Sequence, residues 1–350
     1  MTAQTAAEQQ VADLVLEGGG VKGIALVGAL SVLEERGYRF SRVAGTSAGA
    51  IVGALAAAGM SAARMAEIMR QLDYRRFRDA SGLARLGRPG QAAALVTTNG
   101  IYDGEELRRW LAERLDECGV STFGDLRGDD PDTSLPPEQD YRLLVMASDV
   151  TQGALRRLPW DYGRYGRRAD DVPVVDAVRA SMSIPYFYRP VKLKDERTGD
   201  RCWLVDGGML SNFPVGSFDR PAGQRPRWPT FGIKLSDRPS DAAVAFEVRG
   251  LLSLTRAMVG TMTSFYDRLH LDDPAVVART IFIDTGEVRS TDFDVDETTQ
   301  RWLFDRGRQA ARKFLDGGAD REPWDFDAYV ERFRSRPDPR PSPAADADER

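Results

Sequence analysis

An α/β layered fold with a largely parallel sheet is what this chain of 350 residues predicts. Two observations carry that expectation. Short apolar runs that read as buried strands alternate, through the first half of the chain, with stretches of helical spacing, and strands separated by helices build parallel sheets with helices on their faces. The residues at the ends of those stretches are glycines and serines where helices should stop and start.

Taken in order, DLVLEGG (13–19) reads as a short buried strand and KGIALVGALSVLEERG (22–37) as a helix. Leu26, Val27, Leu30 and Leu33 form its apolar stripe, and Gly37 stands at the C′ position, where a left-handed backbone closes the last turn. RVAGT (42–46) is a second strand, AGAIVGALAAAG (48–59) an apolar helix ending before Gly59, and Ser61 caps the helix AARMAEIMRQL. In YDGEELRRWLAERLDECG (102–119), Asp103 and Glu106 have the spacing of a capping box, while Leu107, Trp110, Leu111 and Leu115 share one face. Further strands are expected at YRLLVMASDV (141–150), RCWLVDGG (201–208), PTFGIKLS (229–236) and ARTIFIDTG (278–286). The last folded element is the helix ETTQRWLFDRGRQAARKFL (297–315), with the aromatics of EPWDFDAYVERF packed after it.

Residues 128–140 and 220–229 are rich in proline and charge and read as loops. The expected organisation is an N-terminal tail over 1–12, a catalytic domain over 13–220, a C-terminal part over 221–335 packed on the same domain, and a disordered tail over 336–350. The net charge of -5 argues against a nucleic-acid partner, which calls for a basic face. Cys118 and Cys202 lie far apart in unlike contexts and suggest neither a metal site nor a disulfide framework. The start, MTAQTAAEQQ, lacks the basic region of a secretory signal, and no uncharged stretch approaches the roughly 20 residues that span a bilayer. A cytoplasmic protein follows as the expectation, with membrane contact, if any, peripheral on the inner surface. Oligomeric state is not readable from the sequence.

Gly45-Thr46-Ser47-Ala48-Gly49 has the G-x-S-x-G pattern of a nucleophile elbow. A serine on a tight strand-to-helix turn crowds the residues two positions to either side, and glycine removes the collision. The hydroxyl then stands at a helix N-terminus, where developing negative charge is favoured. The run Gly18-Gly19-Gly20 ends the preceding strand, and its successive N–H groups can converge on an oxyanion. Gly18, Gly20 and Gly23 also spell G-x-G-x-x-G, so a nucleotide-binding module is a rival reading. That rival calls for an acidic residue closing the next strand, and RVAGTS carries none.

The base for Ser47 has two candidates. His270 is the only histidine, in the stretch SFYDRLHLDDP, and the order Ser47, Asp206, His270 suits an α/β-hydrolase triad. Yet that fold places its elbow after several strands, and here one precedes it. The alternative is a direct Ser47–Asp206 dyad. WLVDGGMLSNFPV puts Asp206 at a strand end, with Gly207 and Gly208 keeping space open, beside the serine at the end of a neighbouring parallel strand. A carboxylate with an ordinary pKa of about 4 is a weak base, and partial burial would strengthen it.

EGGGVKG, GTSAG, SMSIPYFYRPV and VDGGMLSNFPV, in that order, resemble the patatin-like phospholipase family, from about Leu14 to about Asp219. The resemblance implies a three-layer α/β/α sandwich and a Ser47–Asp206 dyad, Ser47 as nucleophile and Asp206 as proton acceptor. It also implies an oxyanion hole at Gly18, Gly19 and Gly20, with Lys22, Gly23, Gly45, Gly49, Gly207 and Gly208 as supporting motif positions. The implied activity is hydrolysis of fatty-acyl esters in lipids, of phospholipase A or lysophospholipase type, at a membrane surface and without metal or cofactor. The family often has arginine where this chain has Lys22, so the charge is kept and the guanidinium fork lost.

Three further stretches invite a role. DYRRFRDASGLARLGRPG and ALRRLPWDYGRYGRR mix arginines with aromatics and read as solvated loops, an anionic lipid surface being the functional alternative. Tyr186, Phe187 and Tyr188 either line an acyl groove or pack a sheet edge. Asp149 is a rival carboxylate that the resemblance makes structural.

Overall fold

A computed structural model describes residues 10–236 and 272–335, apart from positions 81, 132, 134, 222, 223, 291 and 320, together with a few residues between 237 and 271. The segments that contain His270 and the tail 336–350 lie outside the described residues.

In chain order the strands and helices are β1 Gln10–Leu16, α1 Gly23–Glu35, β2 Tyr38–Gly45, α2 Ala48–Ala57, α3 Ala62–Arg70, α4 Gly87–Thr98, β3 Gly100–Tyr102 and α5 Glu105–Asp116. They continue with β4 Leu143–Asp149, β5 Ala154–Leu158, α6 Val174–Ser181, β6 Tyr186–Tyr188, β7 Val191–Lys194, β8 Arg201–Asp206, β9 Thr230–Lys234, α7 Pro274–Ala278, β10 Thr280–Phe282, α8 Glu297–Asp316 and α9 Phe326–Phe333. The first strand begins at Gln10, three positions ahead of the expected edge of the N-terminal tail.

The main sheet runs β10-β9-β1-β2-β4-β8-β7, with β5 also paired to β4. From β10 to β4 every pairing is parallel, while β8 and β5 run antiparallel to β4. The expected parallel sheet is therefore a mixed one, parallel on one side of β4 and antiparallel beyond it. A second, two-stranded sheet joins β3 and β6.

The period of two along the central strands divides the core. Leu14, Leu16, Val43 and Val145 face the large cluster that holds α1 and α2. Val15, Ala44, Leu144 and Met146 face the opposite side, where Phe213, Val215, Phe218 and Val276 of α7 cover them. Helices and loops on both faces of a central sheet make the α/β/α sandwich. The two long helices α1 and α8 approach closely: a Cβ on Gly28 would overlap the Phe304 carbonyl, and one on Gly307 the Ala25 carbonyl.

Helix ends follow the sequence in places and depart from it in one. Gly37 and Gly59 both have positive φ just past their helices, and Ser61 Oγ accepts from Arg64 N–H at 3.3 Å. The Asp103–Glu106 capping box does not form. Gly104 is the N-cap residue of α5, and the Asp79 carboxylate caps the helix from a distant loop, accepting from the N–H groups of Gly104 (2.8 Å) and Glu106 (2.9 Å). Glu106 is thereby released to pair with Arg76 at 2.6 Å.

The stretches read as solvated arginine loops are largely structured. ALRRL is strand β5, and Leu158, Tyr162 and Tyr165 behind it are buried. Tyr74 and Phe77 of the other stretch are buried too. Arginines of both pair with acids, Arg75 with Asp73 and Arg164 with Asp161 among them.

Candidate active site

Chain direction places the candidate nucleophile. β2 ends at Gly45, Thr46 Oγ1 donates to the Ser211 carbonyl at 2.9 Å, and Ser47 is the N-cap of α2 with φ 53 and ψ -122. That positive φ is rare for a residue with a Cβ and marks a backbone held by its surroundings. Both flanking glycines answer a close approach. A Cβ on Gly45 would overlap the Gly49 carbonyl, and one on Gly49 the Leu16 carbonyl, so the elbow is closed by backbone against backbone.

Asp206 arrives by a different route from the expected one. Its strand, β8, is antiparallel and separated from β2 by β4. Asp206 pairs with Ala147 of β4, while Gly45 of β2 pairs with Val145, so the two strands approach from opposite ends and Asp206 stops two positions along β4 from the end of β2. Gly207 then turns the chain against the Met146 carbonyl, with no room for a Cβ. Ser47 Oγ donates to Asp206 Oδ2 at 2.8 Å. The other carboxylate oxygen accepts from Gly208 N–H at 2.7 Å.

Both side chains are buried, Ser47 at 4% exposure and Asp206 at 6%. Burial pushes the Asp206 carboxyl up to about 6, opposed by the hydrogen bonds from Gly208 and Ser47. A carboxylate in that range remains ionised at neutral pH yet is a stronger base than an exposed one. The 2.8 Å contact leaves no space for an imidazole between the two groups.

The glycine run lies alongside. A Cβ on Gly18 would stand 3.1 Å from Ser47 Cβ. Its N–H, however, donates to the Asn212 carbonyl at 3.2 Å. Of the three amides expected to face an oxyanion, Gly18 is thus already bonded, while the N–H groups of Gly19 and Gly20 have no acceptor among the described residues. Gly20 has φ +55 and lies against the Ser290 carbonyl, so only glycine fits there. Beneath the loop, Glu17 accepts from Lys234 Nζ and from Leu235 N–H, which ties the loop to the end of β9. Gly23 brings α1 close to α2, a Cβ there standing 3.3 Å from Ala48 Cβ.

Lys22 Nζ donates to Thr285 Oγ1 at 3.1 Å and to the Leu235 carbonyl at 3.5 Å. Burial lowers its pKa, with Glu17 opposing and Lys234 adding to the shift. Asp149 is buried in a closed network, accepting from Tyr165 Oη at 2.7 Å and from the N–H groups of Thr151 and Gln152. Phe187 stacks on Phe293, and Tyr188 is buried with its hydroxyl on the Phe77 carbonyl, so both pack rather than line a groove. Glu34, one of the acids downstream of the glycine run, accepts from Ala62 N–H and is occupied in holding α3.

The segment Ser181-Met182-Ser183 belongs to a stretch that carries the family resemblance, with no role that its residues alone suggest. The structure puts it in contact with both candidate groups: Ser47 N–H donates to Ser181 Oγ at 2.9 Å, Ser47 Oγ lies 3.4 Å from Met182 Sδ, and Asp206 N–H donates to the Ser183 carbonyl at 2.9 Å. The available signal was a Ser-x-Ser turn closing a helix just ahead of Ile-Pro.

The patatin-like phospholipase family matches residues 14–219, and the chain belongs to that family. Among its relatives is the uncharacterised protein YqhO of Bacillus subtilis, 37% identical over 303 residues that span 87% of this chain and 97% of YqhO. Human patatin-like phospholipase domain-containing protein 6 is 45% identical over 203 residues, which cover 58% of this chain and 12% of that protein. A cUMP-AMP-activated phospholipase of Escherichia coli is 27% identical over 214 residues, covering 58% of this chain and 56% of the other. Membership of the family makes lipid acyl hydrolysis the class of activity. No helix among the described residues is long and apolar enough to cross a membrane.

Proposed function

We propose that the protein hydrolyses fatty-acyl esters of lipids through a Ser47–Asp206 dyad, as a carboxylic ester hydrolase. The observation that carries the reading is the direct 2.8 Å bond from Ser47 Oγ to a buried aspartate whose pKa burial raises to about 6. Asp206 takes the hydroxyl proton as Ser47 Oγ attacks the ester carbonyl. The tetrahedral oxyanion is met by the N–H groups of Gly19 and Gly20. Collapse expels the alcohol, which takes the proton back from Asp206 and leaves an acyl-enzyme on Ser47. Water, deprotonated by Asp206, then releases the fatty acid and restores the serine. The substrate is met at a membrane surface by peripheral contact.

The test is hydrolysis of p-nitrophenyl acyl esters and covalent labelling by a fluorophosphonate. Wild type and His270→Ala should both turn over and be labelled, whereas Ser47→Ala and Asp206→Asn, folded by circular dichroism, should lose activity by about 10⁴-fold or more. Activity retained in Ser47→Ala, or abolished in His270→Ala, overturns the dyad.

A further inference from the structure

Ser47 is held in a backbone conformation that a serine leaves if it can, and the hydroxyl reaches Asp206 only while it stays there. Something outside the elbow must therefore fix it. The glycines on either side remove clashes but make no bond to Ser47 N–H. That N–H donates to Ser181 Oγ at 2.9 Å, and Ser181 is fully buried at the C-terminus of α6.

The turn that carries Ser181 is itself braced. Arg179, 5% exposed, donates to Ser183 Oγ at 2.7 Å, to the Arg189 carbonyl at 3.0 Å and to the Asp103 carbonyl, and lies over the Tyr188 ring at 5.2 Å. Ser183 Oγ returns a bond to the Arg179 carbonyl at 3.0 Å. This buried guanidinium donates to carbonyls and a hydroxyl, a poor exchange for lost hydration if stability alone were served. What the guanidinium achieves is to tie the end of α6 to β3 and β6, and so to fix the residues that touch Ser47 and Asp206.

We propose that Ser181 is a positioning residue for the nucleophile: set by the Arg179-braced turn, its hydroxyl holds Ser47 N–H and thereby keeps Ser47 Oγ in line with Asp206. The inference rests on the reading of Ser47 and Asp206 as a dyad. The same contact occupies Ser47 N–H, so the oxyanion is left to the glycine loop. Ser183 serves the partner group through its main chain, by accepting from Asp206 N–H.

The experiment measures kcat, KM and the rate of fluorophosphonate labelling for Ser181→Ala, Ser181→Cys and, as a control, Ser31→Ala, with melting temperatures for each. Ser31 is a buried serine of α1, bonded to the Gly28 carbonyl and remote from the dyad. Ser181→Ala should lower kcat and labelling together by about 10- to 100-fold, the scale of a small misplacement of reacting groups, with KM unchanged. The acidic limb of the pH profile should move to higher pH, because a misplaced Ser47 Oγ no longer donates to Asp206, a bond that opposes the effect of burial. Ser31→Ala should keep wild-type kcat whatever it does to the melting temperature. A thiol accepts more weakly and at longer range, so Ser181→Cys should fall between alanine and wild type. Wild-type kcat in folded Ser181→Ala, or in folded Ser181→Cys should the alanine variant not fold, overturns the positioning role while leaving the dyad standing. Activity in Ser47→Ala would instead remove the dyad, and the two failures are distinguishable.

Discussion

The serine arm and the aspartate arm of the site are built on opposite principles. The turn that carries Ser47 is shaped by local sterics: five consecutive residues contain the strand end, the strained turn, its two glycines and the start of α2, and only the hold on Ser47 N–H comes from outside them. Asp206 is placed by topology, on a strand that runs against its neighbour and stops level with Ala147 because of how β8 registers on β4. The first arrangement is written in adjacent letters and the second in a pairing between distant strands. A local code tolerates almost no change at its own positions, whereas a topological one depends on contacts that no short motif contains.

The largest effect should come from breaking the local arm. Gly45→Ala and Gly49→Ala each drive a Cβ into backbone carbonyls that cannot move aside, at Gly49 and at Leu16. Loss of the folded protein is expected for both, seen as absence of a cooperative melting transition. A normally folded, active Gly49→Ala would show that the elbow is looser than its geometry, and the contrast between the arms would weaken.

Next in size is the glycine loop, which joins the arms. A Cβ on Gly19 meets the end of the Leu235 side chain rather than backbone, so Gly19→Ala should fold. By displacing its N–H it should lower kcat by about 10²-fold, the usual scale for one oxyanion donor, with KM little changed. Leu235→Ala in the same molecule makes room and should restore part of the rate. If Gly19→Ala raises KM alone, the loop binds substrate and does not serve the oxyanion.

These differences explain what could be read from the letters. The G-x-S-x-G elbow, the C′ glycines at 37 and 59 and the Ser61 cap are each satisfied within a few residues, and each was legible. The limits Leu14 and Asp219 of the resemblance are those of the family match. The Asp103–Glu106 box failed because a carboxylate from Asp79, outside the window, took the same N–H groups. ALRRL looked solvated because its arginines hide a strand pairing with β4. Gly18 was grouped with its neighbours because nothing near it in sequence reveals the Asn212 carbonyl that occupies its N–H. The antiparallel approach of β8 was invisible for the same reason: strand direction is decided by distant partners.

The aspartate arm can be sharpened by pH. With the Asp206 pKa at about 6, the base is ionised above that value and protonated below it. The rate constant kcat/KM should therefore rise with pH, reach a plateau above neutrality, and fall about tenfold between the plateau and pH 5. A plateau that persists down to pH 4 would mean that Asp206 is solvated in the working enzyme. Stopped assays on p-nitrophenyl esters, with product read after alkalinisation, avoid the titration of the chromophore.

The smallest effect is on stability, and it has the sign opposite to that on activity. In the unfolded chain Asp206 titrates at its ordinary value of 3.8, and in the folded protein at about 6. Between those values the folded state binds more protons than the unfolded one, so this group withdraws stability as pH rises through the window, and the loss is complete above about pH 6. Asp206→Asn removes the buried charge while its side-chain oxygen can still accept from Gly208 N–H. The variant should then be more stable than wild type at pH 8, by on the order of 2–3 kcal/mol at most, and should lose that advantage at pH 4, where the wild-type carboxyl is largely protonated when folded. Thermal unfolding of both proteins at the two pH values decides it. An Asp206→Asn protein less stable than wild type at pH 8 would show that the aspartate is held by compensating contacts, and that the topological arm is relaxed rather than strained for function.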